Sequence, residues 1–338
     1  MHVGAGEWSR YAHGPALQRL AQQSIVSLEL ICDLQIERAL AFRDLFHYRL
    51  ASDNIYEMLA DARPDAIVCA VQPTATAEVV KSLLPLRIPI FTEKPPGVSL
   101  AEASSLASAS IAAGGFAFVA FNRRSIPSIV QLREWAIEHP VRFARVEMLR
   151  TNRLEPEFAT GTGIHVFDAI RFLMGEPESI EVETRSHDHP GVRDYAVRLR
   201  FPNSATAEIS LMVNTGLRRE SYYLSSDGTT AEATLGSAYS SELCYRGYRE
   251  WSGEKITREL ALTGDPLIDG GFIGEYENFF HQLEEGDPST CSLVDAARSM
   301  QLAEAVQNRY CGKLPPLSFG CAEAGEEATR SAAPVGLA

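Results

Sequence analysis

The chain predicts an α/β fold: an N-terminal doubly wound parallel sheet, followed by an α+β domain built on a large, mostly antiparallel open sheet. A glycine-rich turn, Gly4-Ala5-Gly6, opens an amphipathic helix close to the start. As far as Phe121, short and continuously apolar runs alternate with amphipathic helices, the pattern of a parallel sheet covered on both faces. Beyond residue 140 the runs lengthen, alternate in polarity and are divided by turns such as Pro202-Asn203 and Asp227-Gly228, the pattern of antiparallel strands.

Bulk properties narrow the class. With 338 residues, 45% of them apolar and 22% charged, the chain suits two well-buried domains. The boundaries expected are 1–122 and 123–317, with a disordered tail over 318–338 whose Ala, Gly, Glu and Ser content is too polar to pack. A formal charge of -13, from 44 acidic and 31 basic residues, argues against nucleic acid as a partner. No run of eighteen apolar residues is present, and Met1-His2-Val3-Gly4 resembles no secretory leader, so a cytoplasmic protein without a membrane partner is expected. The six cysteines form no C-x-x-C pair, and Cys32 and Cys69 lie inside apolar runs. They read as buried thiols, with no metal site.

In the first half, Tyr11 to Gln22 carries Ala12, Ala16, Leu17, Leu20 and Ala21 on one face and reads as a helix. Gly4-Ala5-Gly6-Glu7-Trp8-Ser9 before it is a G-x-G-x-x-S version of the dinucleotide fingerprint. Gly4 permits a tight turn, Gly6 lets the backbone approach a pyrophosphate, and the helix N-terminus holds the negative charge. Only three residues precede Gly4, so the first strand is expected to be trimmed or to start upstream. The apolar run Ile25 to Leu34 contains Asp33 at its end, placed to accept hydrogen bonds from an adenosine ribose and to repel a 2'-phosphate. No arginine follows Asp33 directly, which favours NAD over NADP; a helix cap is its other reading.

The alternation continues through a short strand at Tyr48-Arg49-Leu50, a helix near residues 53–60, a strand Ala66 to Val71 and a helix Thr76 to Leu84. Next come a strand Ile88 to Phe91, a helix Leu100 to Ala112 and a strand Phe116 to Phe121. Lys94, in Glu93-Lys94-Pro95-Pro96, thus ends the fifth strand. As a simple turn the segment would be polar surface. At the carboxyl end of a parallel sheet it converges with the Gly4-Gly6 turn, Asp33 and Gln72-Pro73, where such sheets bind ligands. A partly desolvated ammonium there has its pKa lowered towards proton exchange.

The second half reads as strands at Phe143 to Leu149, Ile180 to Arg185, Ala196 to Phe201, Ala205 to Val213 and Tyr222 to Ser225. A helix, Thr162 to Met174, interrupts them, and helices Ile273 to Glu285 and Leu293 to Tyr310 close the domain. An uncovered sheet face suggests a homodimer or homotetramer.

Gly4-Ala5-Gly6 with Ser9, His13 and Pro15-Ala16-Leu17, then Cys32-Asp33, Pro73, Glu93-Lys94-Pro95, Asn122-Arg123-Arg124 with Pro127, and Gly163-Ile164-His165 with Asp168, follow one another in order. Together they resemble the glucose-fructose oxidoreductase, inositol dehydrogenase and rhizopine catabolism (Gfo/Idh/MocA) family from residue 3 to about residue 317. The resemblance implies an N-terminal Rossmann domain carrying NAD or NADP, a C-terminal α/β domain with a large open sheet, and redox chemistry at a hydroxyl or carbonyl carbon of a sugar, cyclitol or related polyol. It also implies a catalytic Lys94, a cis Lys94-Pro95 bond, and His165 opposite Lys94 across the nicotinamide. Candidate cofactor contacts are Gly4, Gly6, Glu7, Trp8, Ser9, Asp33, Gln72, Pro73, Glu93, Lys94 and Arg124.

His165 follows small residues that leave room for a ligand, and with Lys94 it could hold a substrate hydroxyl and share its proton. Asp168, one turn on, reads as a helix-surface or domain contact rather than a proton donor. Lys94, Asn122, Arg150, Arg153 and His165 are the candidate substrate contacts, with surface solvation the competing reading for Arg150 and Arg153. Two positions depart from the family pattern. Gly161 stands where many relatives carry an aspartate four residues before the histidine, and Ala77 stands where relatives often have a histidine. Lys94 and His165 would then share the proton transfer, or Glu157 would move in. The first expectation is an NAD(P)-dependent oxidoreductase. A non-catalytic cofactor-binding regulator or sensor, and a net non-redox enzyme working through transient oxidation, are the alternatives.

Overall fold

The protein is described by a computed structural model at residues 1–235, 247–286 and 290–319. Cys244, Cys321 and nearly all of the expected tail lie outside these residues.

The first sheet is built from β1 (His2–Val3), a π-helical turn Ser9–His13 running into α1 (Gly14–Gln22), β2 (Leu30–Cys32), α2 (Ile36–Phe46), β3 (Leu50–Ser52), α3 (Ile55–Asp61) and β4 (Ile67–Cys69). It continues with α4 (Pro73–Leu83), β5 (Ile90–Glu93), α5 (Leu100–Ala113) and β6 (Ala117–Ala120). The strand order β3-β2-β1-β4-β5-β6 is parallel throughout and reverses direction at β1. Although two residues long, β1 pairs on both sides, His2 with Ile31 and Val68, and Val3 with Cys32 and Cys69. That short partner explains why only Leu30–Cys32 of the apolar run from Ile25 becomes strand: β2 has few residues to pair with. The Lys94-Pro95 bond is cis.

The second sheet follows α6 (Pro127–Glu138) and is formed by β7 (Phe143–Leu149), α7 (Ile164–Met174), β8 (Ser179–Ser186), β9 (Arg193–Arg200), β10 (Thr206–Met212), β11 (Arg219–Ser226) and β12 (Thr229–Leu235). It is completed by β13 (Gly247–Ser252), β14 (Lys255–Leu260), α8 (Pro266–Asp269), α9 (Phe272–Glu285), α10 (Leu293–Gln307) and β15 (Gly312–Lys313). The nine strands run β14-β13-β12-β11-β7-β10-β9-β8-β15, antiparallel except for β7 beside β10. Helix α6 was not expected, yet Pro127 at its first turn and buried Ile129, Leu132 and Trp135 at threefold spacing explain it.

One face of this sheet buries Val146, Met148, Val197, Leu199, Ile209 and Leu211 beneath α7, where Gly163 approaches Leu211 so closely that a Cβ would lie 3.0 Å from its Cδ1. The other face is charged: Arg198 pairs with Glu208 at 3.0 Å, Arg200 with Glu181 at 3.4 Å, and Arg142 with Asp227. The last helices fold back over the first sheet. Tyr276 of α9 stacks on Phe91 at 4.4 Å, and Val119 donates to the Cys291 carbonyl at 2.7 Å, so the crevice after β5 is roofed by the chain's C-terminal half.

Candidate active site

At the carboxyl end of the first sheet, Gly4 has φ +97°, and a Cβ there would lie 2.3 Å from the Ala70 carbonyl oxygen. Only glycine fits. Gly6 differs, for a Cβ on it would meet no protein atom within 4 Å, leaving its backbone open to a ligand. Asp33 Oδ2 accepts from Ala5 N at 2.8 Å and Oδ1 from Gln35 N at 2.9 Å. The carboxylate therefore fixes the glycine turn, and each oxygen keeps a lone pair for a ribose hydroxyl. Ser9 donates to the Gly4 carbonyl at 2.7 Å and locks the turn from below. Gln72 and Pro73 are exposed at the start of α4, and Glu7 is exposed beside Trp8. An open Gly6, an acidic β2 end and a helix start in line suit a dinucleotide.

Glu93 organises the next layer. Its Oε1 accepts from Trp8 Nε1 at 2.7 Å and meets His13 Nε2 at 2.8 Å, while its Oε2 accepts from Lys94 N at 3.0 Å. His13 Nδ1 in turn meets the Tyr276 hydroxyl of α9 at 2.8 Å. Burial would raise the Glu93 carboxyl, but His13, Lys94 and Trp8 outweigh it and hold the group below its ordinary value. Lys94 Nζ donates to the Gly161 carbonyl at 3.0 Å. Burial brings the Lys94 pKa down to about 8, against the opposing pull of Glu93 and with help from Arg123 and Arg153.

On α7, His165 is 7% exposed, and its Nδ1 has no hydrogen-bond partner among the described residues. Burial, then Arg123, Lys94, Arg150 and Arg153, hold its pKa well below the ordinary value, so the imidazole is neutral. Arg123 grips Glu220 with Nε at 3.1 Å and Nη2 at 3.0 Å, and Arg150 Nη2 closes on the same carboxylate. The Tyr222 hydroxyl donates to it at 2.8 Å. Burial would raise Glu220, but Arg123 and Arg150 keep it well below the usual carboxylate range. Arg150 is buried, whereas Arg153 is half-exposed and reaches Thr162 Oγ1 at 2.7 Å and Glu155 at 2.5 Å. Glu157 is exposed.

Arg124 is not in this group. Its Nε and Nη2 donate to Asp168 at 2.8 and 2.7 Å, and its Nη1 pairs with Asp295 at 2.8 Å, a buried clamp between α7 and α10. Asp168 is thus a domain contact, and its full burial excludes the helix-surface reading. Asn122 donates to the Gly270 carbonyl at 2.8 Å and accepts from Arg123, so its amide ties the crevice wall together. Sequence reasoning did not find Glu220, although it occupies an inward position of β11 in step with Tyr222 and Leu224. Nor did it find Glu275 on α9, a 1%-exposed carboxyl with no partner among the described residues, which burial and then Glu93 push well above its ordinary pKa. Among the described residues no group of His, Cys, Asp or Glu is arranged to hold a metal, and no helix is long and apolar enough to cross a membrane.

Comparison with known proteins agrees with this geometry. Residues 2–121 match the Gfo/Idh/MocA oxidoreductase family, NAD-binding Rossmann fold, and residues 156–310 match the C-terminal alpha/beta domain of the same family. The chain belongs to this family. It is 28% identical over 343 residues to the uncharacterized oxidoreductase YrbE of Bacillus subtilis (strain 168), covering 93% of this chain and 94% of that protein. Levoglucosan dehydrogenase, solved with NADH and L-sorbose, shares the fold with a TM-score of 0.78 at 15% identity, over 94% of this chain and 98% of that one. A structure of a putative myo-inositol dehydrogenase from Sinorhizobium meliloti 1021 shares it with a TM-score of 0.76 at 19% identity, over 93% and 98%. The protein is therefore an oxidoreductase of this family with an NAD-binding Rossmann domain.

Proposed function

We propose that the protein is an NAD-dependent dehydrogenase acting on a hydroxyl-bearing carbon of a sugar, cyclitol or related polyol. The observation that supports this best is Lys94. It stands at the mouth of β5, anchored to the Gly161 carbonyl, with a pKa of about 8, and its charge is among those that help to hold the His165 pKa down. Bound nicotinamide would supply the hydride acceptor. The Gly4-Gly6 turn and Asp33 would hold the dinucleotide, and Asp33 favours the unphosphorylated ribose of NAD.

In oxidation, neutral Lys94 takes the hydroxyl proton as hydride leaves the carbon, and in reduction the ammonium returns it. Burial and the surrounding cations disfavour the protonated imidazole, so in this reading His165 hydrogen-bonds the reacting oxygen and orients it. Gly161 supplies a carbonyl where many relatives carry an aspartate, and Lys94 carries the proton without a carboxylate from that position. A cofactor-binding sensor without chemistry is the second reading, favoured by that glycine.

Replacing Lys94 separates binding from chemistry. Lys94→Ala is expected to bind NAD within a few-fold of the parent and to lose about 10²- to 10⁴-fold in kcat. Full turnover in the variant, with its substrate and NAD saturating, would overturn the assignment.

A further inference from the structure

Trp8 sits in the glycine turn, between Gly6 and Ser9, and is 42% exposed although its neighbours hold the ring in place. Its Nε1 donates to Glu93 Oε1 at 2.7 Å, the ring leans on Tyr11 at 5.3 Å and 34°, and Phe272 of α9 meets it edge to face at 5.6 Å. An indole held in this way has little rotamer freedom left to lose, so a ligand that covers its open surface gains most of the benefit of the area buried. That surface lines a cavity of about 360 Å³, within the roughly 300–1,000 Å³ range of small-ligand sites. Asn122, Arg123 and Arg150 line it as well. Arg123 gives three of its five N–H donors to Glu220 and Asn122, which leaves the others for hydroxyl oxygens. Two connections tie the cavity to Lys94: Trp8 holds the residue before it, and Arg123 is among the charges that act on both Lys94 and His165.

We propose that Trp8 determines specificity: the C–H face of a six-membered ring polyol lies on the indole while its hydroxyls meet the polar side chains of the cavity, so that ring substrates are preferred to open-chain ones. The proposal rests on the redox reading of Lys94 and His165 given above. A chair with equatorial hydroxyls directs its axial C–H bonds to the two ring faces, and these bonds carry partial positive charge towards the negative face of an indole. An open-chain polyol has no such preformed apolar face and must give up several bond rotations to imitate one. The sequence marks Trp8 only as a cofactor contact; its bond to Glu93 and its place in the cavity wall give it this second part.

The test uses the full chain with NAD and three compounds: scyllo-inositol, methyl β-D-glucopyranoside and D-glucitol. The inositol and glucitol each carry one hydroxyl on every carbon and differ by ring closure. At least one of the two rings is expected to exceed glucitol about tenfold or more in kcat/KM. Trp8→Leu removes the aromatic face and is expected to lose most of that preference through the KM for the ring, with the KM for NAD within a few-fold of the parent. Trp8→Phe keeps an aromatic face and is expected to keep most of the preference. Equal or better use of glucitol by the parent, or an undiminished ring preference in Trp8→Leu, would overturn the inference and leave the dehydrogenase reading standing. A change in the KM for NAD alone would assign the indole to the nicotinamide and overturn it as well. If none of the three is oxidised, the melting temperature with NAD present decides. A rise given by a ring and not by glucitol, lost in Trp8→Leu, supports the platform and counts against redox chemistry; no ring-specific rise, or one kept in Trp8→Leu, overturns it.

Discussion

Burial lowers the Lys94 pKa to about 8, which under the proposed function sets the pH dependence of both directions of the reaction. Oxidation needs the neutral amine, so kcat/KM is expected to rise with pH up to about 8 and then level off. Reduction needs the ammonium and should fall above the same point. A pH profile of each direction checks this; an oxidation rate independent of pH between about 6 and 9 would remove Lys94 as the base. The same shift has a stability consequence of known sign. Between about 8 and the unfolded lysine value of about 10.4, the unfolded chain binds more protons, so the contribution of Lys94 to stability rises with pH across that window. Lys94 stood out in the sequence because Glu93-Lys94-Pro95 follows the fifth strand of a parallel sheet and is one of the motifs that carry the family resemblance; as an isolated segment it read equally as a polar turn. The pairing of Arg123 with Glu220 could not, because it joins side chains 97 positions apart and no local spacing encodes it.

At the scale of elements, β11 shapes the site. Alternation along it turns Glu220, Tyr222 and Leu224 inward, and places a carboxylate under two guanidiniums at the crevice wall. Glu220→Gln keeps the volume but strands both arginines. It is expected to cost about 3 kcal/mol or more, read as a lower denaturation midpoint in urea. A loss under about 1 kcal/mol would mean that solvent already compensates those cations. Strands with apolar alternation, such as β7, were legible to the residue. The hairpin of β13 and β14 was not, since every residue of β14 is exposed and the strand is held by backbone pairing to β13 and by Arg249 on Glu259 at 2.6 Å. The inward position of Glu220 was visible as an acidic residue in step with apolar ones, but its meaning depended on which arginines face it.

The whole molecule brings these elements together by folding its C-terminal helices back over the first sheet. His13 reaches Tyr276, Asn122 reaches Gly270, and Arg124 and Arg171 both bind Asp295, so the cofactor turn, the lysine loop and α7 are fixed to one another through α9 and α10. The two-sheet order of the fold was legible because hydrophobic periodicity reports it directly. These closing contacts were not, because they depend on packing between segments far apart in the chain. They fix the loop that carries Lys94 and the helix that carries His165, as the proposed chemistry on a bound hydroxyl requires. The most direct test follows nicotinamide absorbance after the full chain is mixed with NAD and, in turn, neutral sugars, cyclitols, sugar acids and sugar phosphates. Reduction of NAD by at least one of them is the predicted result. Binding of NAD and of a polyol, with no redox change and no product formed across the panel, would contradict it and identify the protein as a sensor.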